Sequence, residues 1–251
     1  MRTLFILLGR EIKAFFYSPV GYVVLFCFLL LTGFNFYITV FTLNGNPQDQ
    51  TVMEEFFGSL ILWIGTLLSF PLITMRLFSE EYKMGTIESL MTAPVKDWQV
   101  VLSKYFAAVF FYIMIWIPTP FYFPVFEWVT KTPAAYSMGA CVGSYTFMLL
   151  LGMFYISIGC LTSVLTRNQI VAAVMSLVII LLLFLSGLFA AMAPTYTPLL
   201  RDIVAYFSSI EHMHDFSIGL IDTRPFVFYL SMTAFVLFIT YHIFQSRKWR
   251  M

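Results

Sequence analysis

Charge is scarce in this sequence: fourteen Lys and Arg and thirteen Asp and Glu occur among 251 residues, 11% of the chain. A soluble globular domain needs about a quarter of its residues charged to cover its exterior. So little charge, beside 60% hydrophobic residues and a mean hydropathy of +0.87, excludes one and points to a membrane protein. A net charge of +1 supplies no basic field, which excludes nucleic acid as a partner. Cysteine is scarce as well. Cys27, Cys141 and Cys160 lie in apolar runs without CxxC or Cys/His spacing, so they read as small buried hydrophobes rather than disulfides or metal ligands. Neither H-E-x-x-H nor G-x-S-x-G occurs, and the Gly-Lys dipeptide of a phosphate-binding loop is missing. Any ATP-driven work must draw on a partner. The early apolar run 4–8 is too short for a cleavable signal and is followed by Arg10, Glu11 and Lys13.

What the chain has instead is long apolar stretches. A helix needs about 20 apolar residues to cross the hydrocarbon layer, and six segments qualify: 21–41, 56–75, 105–126, 136–165, 170–193 and 226–245. The fold class expected is an all-α membrane protein with six transmembrane helices in a single domain, the fourth long enough to tilt or bend. An even number of spans puts both termini on one side. Placing them in the cytoplasm sets eleven of the fourteen Lys/Arg inside and leaves only Lys131, Arg201 and Arg224 outside, as the positive-inside rule prefers.

Residues 1–18 form a separate unit. Leu4, Phe5, Leu8, Ile12, Phe15 and Phe16 share a helical face opposite Arg10 and Lys13, although Ile6 and Leu7 interrupt the pattern. This describes a helix in the membrane interface, and Ser18-Pro19 supplies the break before the first span. Pro118, Pro120 and Pro124 should distort the outer end of the third span. No span carries a mid-membrane acidic residue, which weakens ion-coupled transport. Asn35, Thr66, Ser69 and Ser157 read as polar glue between helices.

Eight of the scarce charges crowd between Arg76 and Lys104. The second span should run on through Glu80, Glu81 and Tyr82 until Gly85 interrupts it. Thr86 can then cap a short helix from Ile87 to Met91, with Glu88 in its first turn where the helix dipole favours negative charge. Pro94 stops that helix before Lys96 and Asp97 lead into the third span. Segment 76–99 is therefore expected to be a cytoplasmic helical hairpin whose tip exposes Ile87, Leu90 and Met91. Such a cluster, rimmed by charge, is either a docking surface or a solvated loop packed on its own bundle.

The run TMRLFSEEYKMGTIESLMTAP resembles the cytoplasmic loop of ABC-2 type exporter permeases, where an acidic stretch followed by GT-x-E-x-L-x-x-x-P forms the coupling helix. KAFFYSPVGYVV, SKYFAA, GSYTFMLLLG, LTRNQIVAA and EHMHDFSIGLIDTRPFVFYLSMTAF extend the likeness and are similar to the gliding-motility-associated permease branch. The resemblance implies a permease subunit of an exporter or mechanotransmitting complex in the bacterial inner membrane. It further implies pairing with a second, identical or related permease subunit and with a separate ATPase that holds ATP and Mg. An accessory envelope protein and membrane lipid are further partners it allows. ATPase coupling would fall on Glu80, Glu81, Gly85, Thr86, Ile87, Glu88, Leu90 and Met91, the interfacial helix on Arg10, Glu11 and Lys13, and an outer re-entrant segment on 194–224.

Two rival readings belong to other classes. His212 and His214, beside Glu211 and Asp215, raise an intramembrane metal-dependent enzyme, but a spacing of two puts the histidines on different helix faces. No catalytic or metal residue is assigned. The other rival is a passive scaffold, which a co-purifying ATPase would exclude.

Overall fold

The computed structural model describes residues 2–45, 51–87, 95–131, 137–192 and 208–248, and among these every regular element is a helix. In chain order they are α1 (Arg2–Tyr17), α2 (Pro19–Gly45), α3 (Val52–Gly58), α4 (Leu60–Thr74), α5 (Ser79–Met84) and α6 (Asp97–Trp116). A 3₁₀ turn at Thr119–Phe121 follows, then α7 (Tyr122–Thr130), α8 (Met138–Leu165), α9 (Gln169–Met192), α10 (Ser209–Ile218) and α11 (Thr223–Lys248). Among the described residues five stretches are long and apolar enough to cross a membrane: Pro19–Asn44, Leu60–Met84, Asp97–Val129, Met138–Leu165 and Thr223–Arg247. The remaining expected span coincides with α9, of which Gln169–Leu185 is the shorter apolar part.

α8 is the central pillar. It packs against α4, α6, α9, α10 and α11, and most of its residues are buried. Glycines make the close contacts possible, because helices in lipid gain by van der Waals approach rather than by leaving water. A Cβ on Gly159 would lie 2.1 Å from Thr74 Oγ1, and one on Gly152 would lie 2.2 Å from the Tyr112 ring. The two are seven residues apart, two helical turns, so one face of α8 receives both α4 and α6. At the periphery, α2 and α11 leave large apolar side chains exposed, among them Phe26, Leu30, Phe34, Phe235 and Phe238. Cys27 shares that exposed face, so the expectation that all three cysteines are buried fails there; Cys160 alone is fully enclosed.

Several helix breaks follow from the residues at them. Pro19 opens α2 at the first helical position, where its missing N–H costs nothing. Pro118 and Pro120 end α6 and force the 3₁₀ turn, as expected. The expected second span, by contrast, is not one rod. Ser59 is extended (φ −64°, ψ 132°) and separates α3 from α4, while Met75 to Phe78 form a turn separating α4 from α5. Of the expected polar glue, only Asn35 joins helices, donating from Nδ2 to the Phe56 carbonyl at 3.1 Å. Ser69 and Ser157 return their hydroxyls to their own helices, and Thr66 Oγ1 has no partner among the described residues.

Candidate functional site

The break between α4 and α5 is held from outside. Ser163 on α8 accepts the Phe78 and Ser79 backbone N–H groups at 3.0 and 3.2 Å and donates to the Met75 carbonyl at 3.3 Å. One hydroxyl thus satisfies backbone groups that a helix terminus leaves without partners. Beyond the break, α5 carries Glu80 and Glu81 in its first turn and closes on Gly85 in the left-handed region (φ 71°), where a glycine escapes the Cβ penalty. The chain is helical again at Thr86 and Ile87. Ile87 is 1% exposed and joins the core, which corrects the expectation that it lies at an exposed tip. Glu88, Leu90 and Met91 lie outside the described residues.

Around α5 the scarce charges meet. Lys104 on α6, only 1% exposed, points Nζ at Glu81 Oε1 (2.9 Å) and Glu11 Oε2 (3.2 Å). Arg10 Nη2 reaches Glu11 Oε1 at 2.5 Å and Glu81 Oε1 at 3.3 Å, so two cations and two carboxylates tie α1, α5 and α6 together. Burial pushes the Glu11 carboxyl up, yet the Lys104 charge and the Arg10 contacts outweigh it and hold the group below its ordinary value. Lys104 also lies 5.5 Å from the Phe78 ring centroid. Arg76 pairs with Glu80 one turn on (Nε–Oε2 2.7 Å) and bonds Ser18 at the α1–α2 junction. Arg247 on α11 stacks over Tyr82 at 4.9 Å and donates to the Leu165 carbonyl. α1, α6, α8 and α11 therefore converge on α5, a six-residue element that α4 enters through the Met75–Phe78 turn.

The buried face of α1 is not quite the one the sequence predicts. Leu7 and Glu11 are buried at its centre, whereas Phe5 is 66% exposed and Lys13 is exposed. Glu11 belongs inside because Lys104 meets it there. The sequence reading missed Lys104, Ser163 and Arg247 as site residues. A single Lys followed by an unbroken apolar run through Trp116 is a signal for the first, since a charge so placed needs a partner; a serine among other small residues gives no such signal.

The opposite end of the bundle holds α3, α7 and α10; there an exposed Asp222–Arg224 pair (3.7 Å) stays within one connection, and among the described residues the polar links between helices are neutral. Ser209 Oγ lies 3.2 Å from Tyr155 OH and accepts from Tyr229 OH at 3.3 Å, and His212 Nδ1 lies 3.4 Å from Tyr229 OH. His212 is half-buried against Phe147 and His214 is exposed, so the pair do face apart. Among the described residues no three His, Cys, Asp or Glu side chains gather as metal ligands.

Residues 19–187 match the family model described as ABC-2 family transporter protein. That match spans two thirds of the chain. The chain belongs to the ABC-2 transporter family. No curated protein matches it significantly. This ABC-2 protein is a multi-pass membrane permease domain of the kind that lacks the catalytic ATPase, and ABC-2 permeases generally pair with ABC ATPase subunits. The match takes in α2 to α8 and most of α9, and so includes the α4–α5 joint, Lys104 and Ser163, while α1, α10 and α11 lie outside it.

Proposed function

We propose that this ABC-2 chain is the permease subunit of an ATP-driven exporter, or of a complex that transmits mechanical work across the envelope, and that segment 76–99 delivers the motion of a separate ATPase. The observation that carries the reading is the convergence of α1, α4, α6, α8 and α11 on α5, immediately before the Gly85 turn. A push on the segment after Gly85 enters every one of those helices through a short, charge-tied element. On this reading α9 is the fifth of six spans, α1 lies in the interface, and residues 194–224 form the outer re-entrant segment. A second permease subunit covers part of the apolar periphery. The charged end faces the cytoplasm of a bacterial inner-membrane protein: of the described Lys and Arg, Lys131 and Arg224 alone belong to the other end. Likeness to the gliding-motility-associated branch favours mechanical work as one form of output.

The test is co-purification and ATP hydrolysis in reconstituted membranes. Leu90→Asp puts an unpaired charge into the proposed contact, so the variant should insert normally and lose ATPase association. Wild-type association and turnover in that variant would reduce segment 76–99 to a solvated loop. Cysteine labelling checks the orientation separately: a cysteine at 88 should resist an external impermeant reagent, and one within 46–50 should react.

A further inference from the structure

The break between α4 and α5 has no local cause. Met75, Arg76, Leu77 and Phe78 include neither glycine nor proline, Met, Arg and Leu are good helix formers, and the Arg76–Glu80 pair has the i, i+4 spacing that supports a helix. Local preference is for one continuous helix, and the break is imposed from α8. In a continuous helix the Phe78 and Ser79 N–H groups would donate to the Thr74 and Met75 carbonyls, four residues back. Here both donate to Ser163 Oγ instead, at 3.0 and 3.2 Å. The Thr74 carbonyl accepts from the Leu77 N–H at 3.1 Å, and the Met75 carbonyl accepts from the hydroxyls of Ser79 and Ser163. Each of the four groups that would form the two helical bonds thus has a substitute partner.

The same groups are satisfied in the unbroken arrangement. With the two N–H groups returned to Thr74 and Met75, the Ser163 hydroxyl turns to a carbonyl three or four residues back on its own helix, as helical serines do. Room for the change is present. A cavity of about 260 Å³ lies against the joint, lined by Leu72, Ile73, Arg76 and Leu77 before and within it and by Glu80 and Met84 beyond it. Side chains that border an empty volume can be re-aimed without the overlap that a close-packed interior imposes. Favouring the broken arrangement are the contacts α5 makes further on, Glu81 with Lys104 and Tyr82 under Arg247. We infer that Met75–Phe78 is a two-state joint, broken here and continuous in a second arrangement, with the Ser163 hydroxyl as the latch between them. In the continuous arrangement Glu81 leaves Lys104, which keeps Glu11. The inference concerns this chain alone and stands whether or not segment 76–99 docks an ATPase.

Ser163→Ala removes the latch. In the broken arrangement it leaves the buried Phe78 and Ser79 N–H groups unpaired, whereas the continuous arrangement keeps both bonded, so the equilibrium should move to the latter. The test joins two measurements on the purified full chain without a partner. Spin labels at Met84 on α5 and Leu182 on α9, both exposed, report the re-aiming. A side chain stands about 5 Å from its helix axis, so the distance between the labels should shift by about that much in Ser163→Ala. Hydrogen exchange over residues 75–82 should stay as slow as in the wild type, because the amides have only changed partners. Ser79→Ala loses a hydroxyl at the same joint but leaves the latch, and this control should keep the wild-type distance. An unchanged distance in Ser163→Ala overturns the two-state joint, and so does a shift accompanied by fast exchange, which is fraying. An equal shift in Ser79→Ala overturns the assignment of the latch to Ser163. Wild-type ATPase association by Leu90→Asp would remove the coupling reading and leave the joint standing.

Discussion

The two ends of this bundle meet the same demand, polar contacts between helices in an apolar setting, with different chemistry. At one end the links are ionic and join short pieces: α1 and α5 are held to α6 by Arg10, Glu11, Glu81 and Lys104. At the other they are neutral: Tyr155, Ser209, Tyr229 and His212 share hydroxyl contacts at 3.2 to 3.4 Å, with Thr119 donating to Tyr145 at 3.0 Å beside them. Ionic links are strong while complete and costly when one partner is lost, because the remaining charge stays buried. Neutral links fail gently. The ionic end is thus the end whose contacts punish a partial rearrangement, which favours two discrete arrangements over a continuum.

The largest expected effect breaks the ionic end. Lys104→Met keeps the side-chain length but leaves Glu11 and Glu81 without their buried ammonium, at a cost of about 3–5 kcal/mol. Thermal unfolding in detergent should show the loss, and adding Glu11→Gln and Glu81→Gln should restore much of it. A Lys104→Met protein as stable as the wild type would mean that the cluster is solvated.

Next comes the close packing behind each end. Gly159→Val, with its Cβ placed 2.1 Å from Thr74 Oγ1, should cost about 1–3 kcal/mol or more through overpacking. Gly143→Ala at the neutral end, 3.0 Å from the Phe216 carbonyl, should cost less in the same unfolding measurement. The reverse order would place the tighter helix contact at the wrong end.

Tyr229→Phe removes two long hydroxyl contacts, and side-chain hydrogen bonds between membrane helices average about 0.6 kcal/mol. A loss above about 2 kcal/mol would show that the neutral end is as demanding as the ionic one.

Acid separates the two ends by pH. Burial lowers the His212 pKa below its ordinary 6.5, against the opposing pull of Asp215 and Asp222. The unfolded chain then binds more protons than the folded one just below that value, so stability should fall as pH drops from about 6.5 toward the folded value. Glu11 is held below the ordinary carboxyl value of 4.5, so its contribution is intact above that pH and lost only as pH falls through the depressed value. Hydrogen exchange should therefore report loosening of α10 before loosening of α1, and His212→Gln should flatten the first step. Simultaneous loosening of both would couple the ends.

Span positions were legible because hydropathy over twenty residues is a strong signal, and the Pro19, Pro118 and Gly85 breaks were legible because backbone chemistry announces them. The Ser59 and Met75–Phe78 breaks were not. They depend on tertiary contacts, the second on Ser163, which lies 84 residues away from Ser79. The segment around Glu80 and Glu81 stood out because its charges are crowded, yet their partners Arg10 and Lys104 come from distant parts of the chain, and pairing of that kind leaves no local pattern. Ile87 read as exposed because its neighbours are polar; whether it is covered depends on packing against the rest of the bundle.

The turn at Met75–Phe78 also sets an angle. Each residue in an α-helix turns the chain by 100°, and each in a tighter i→i+3 turn, such as the Leu77 N–H to Thr74 carbonyl bond, by about 120°. Four residues that switched from turn to helix would carry α5 round by tens of degrees and swing Glu81 off the azimuth at which Lys104 waits. Ser163 therefore acts as a phase lock: a single hydroxyl on the pillar fixes which compass bearing the acidic pair presents, and with it which cations the pair can reach.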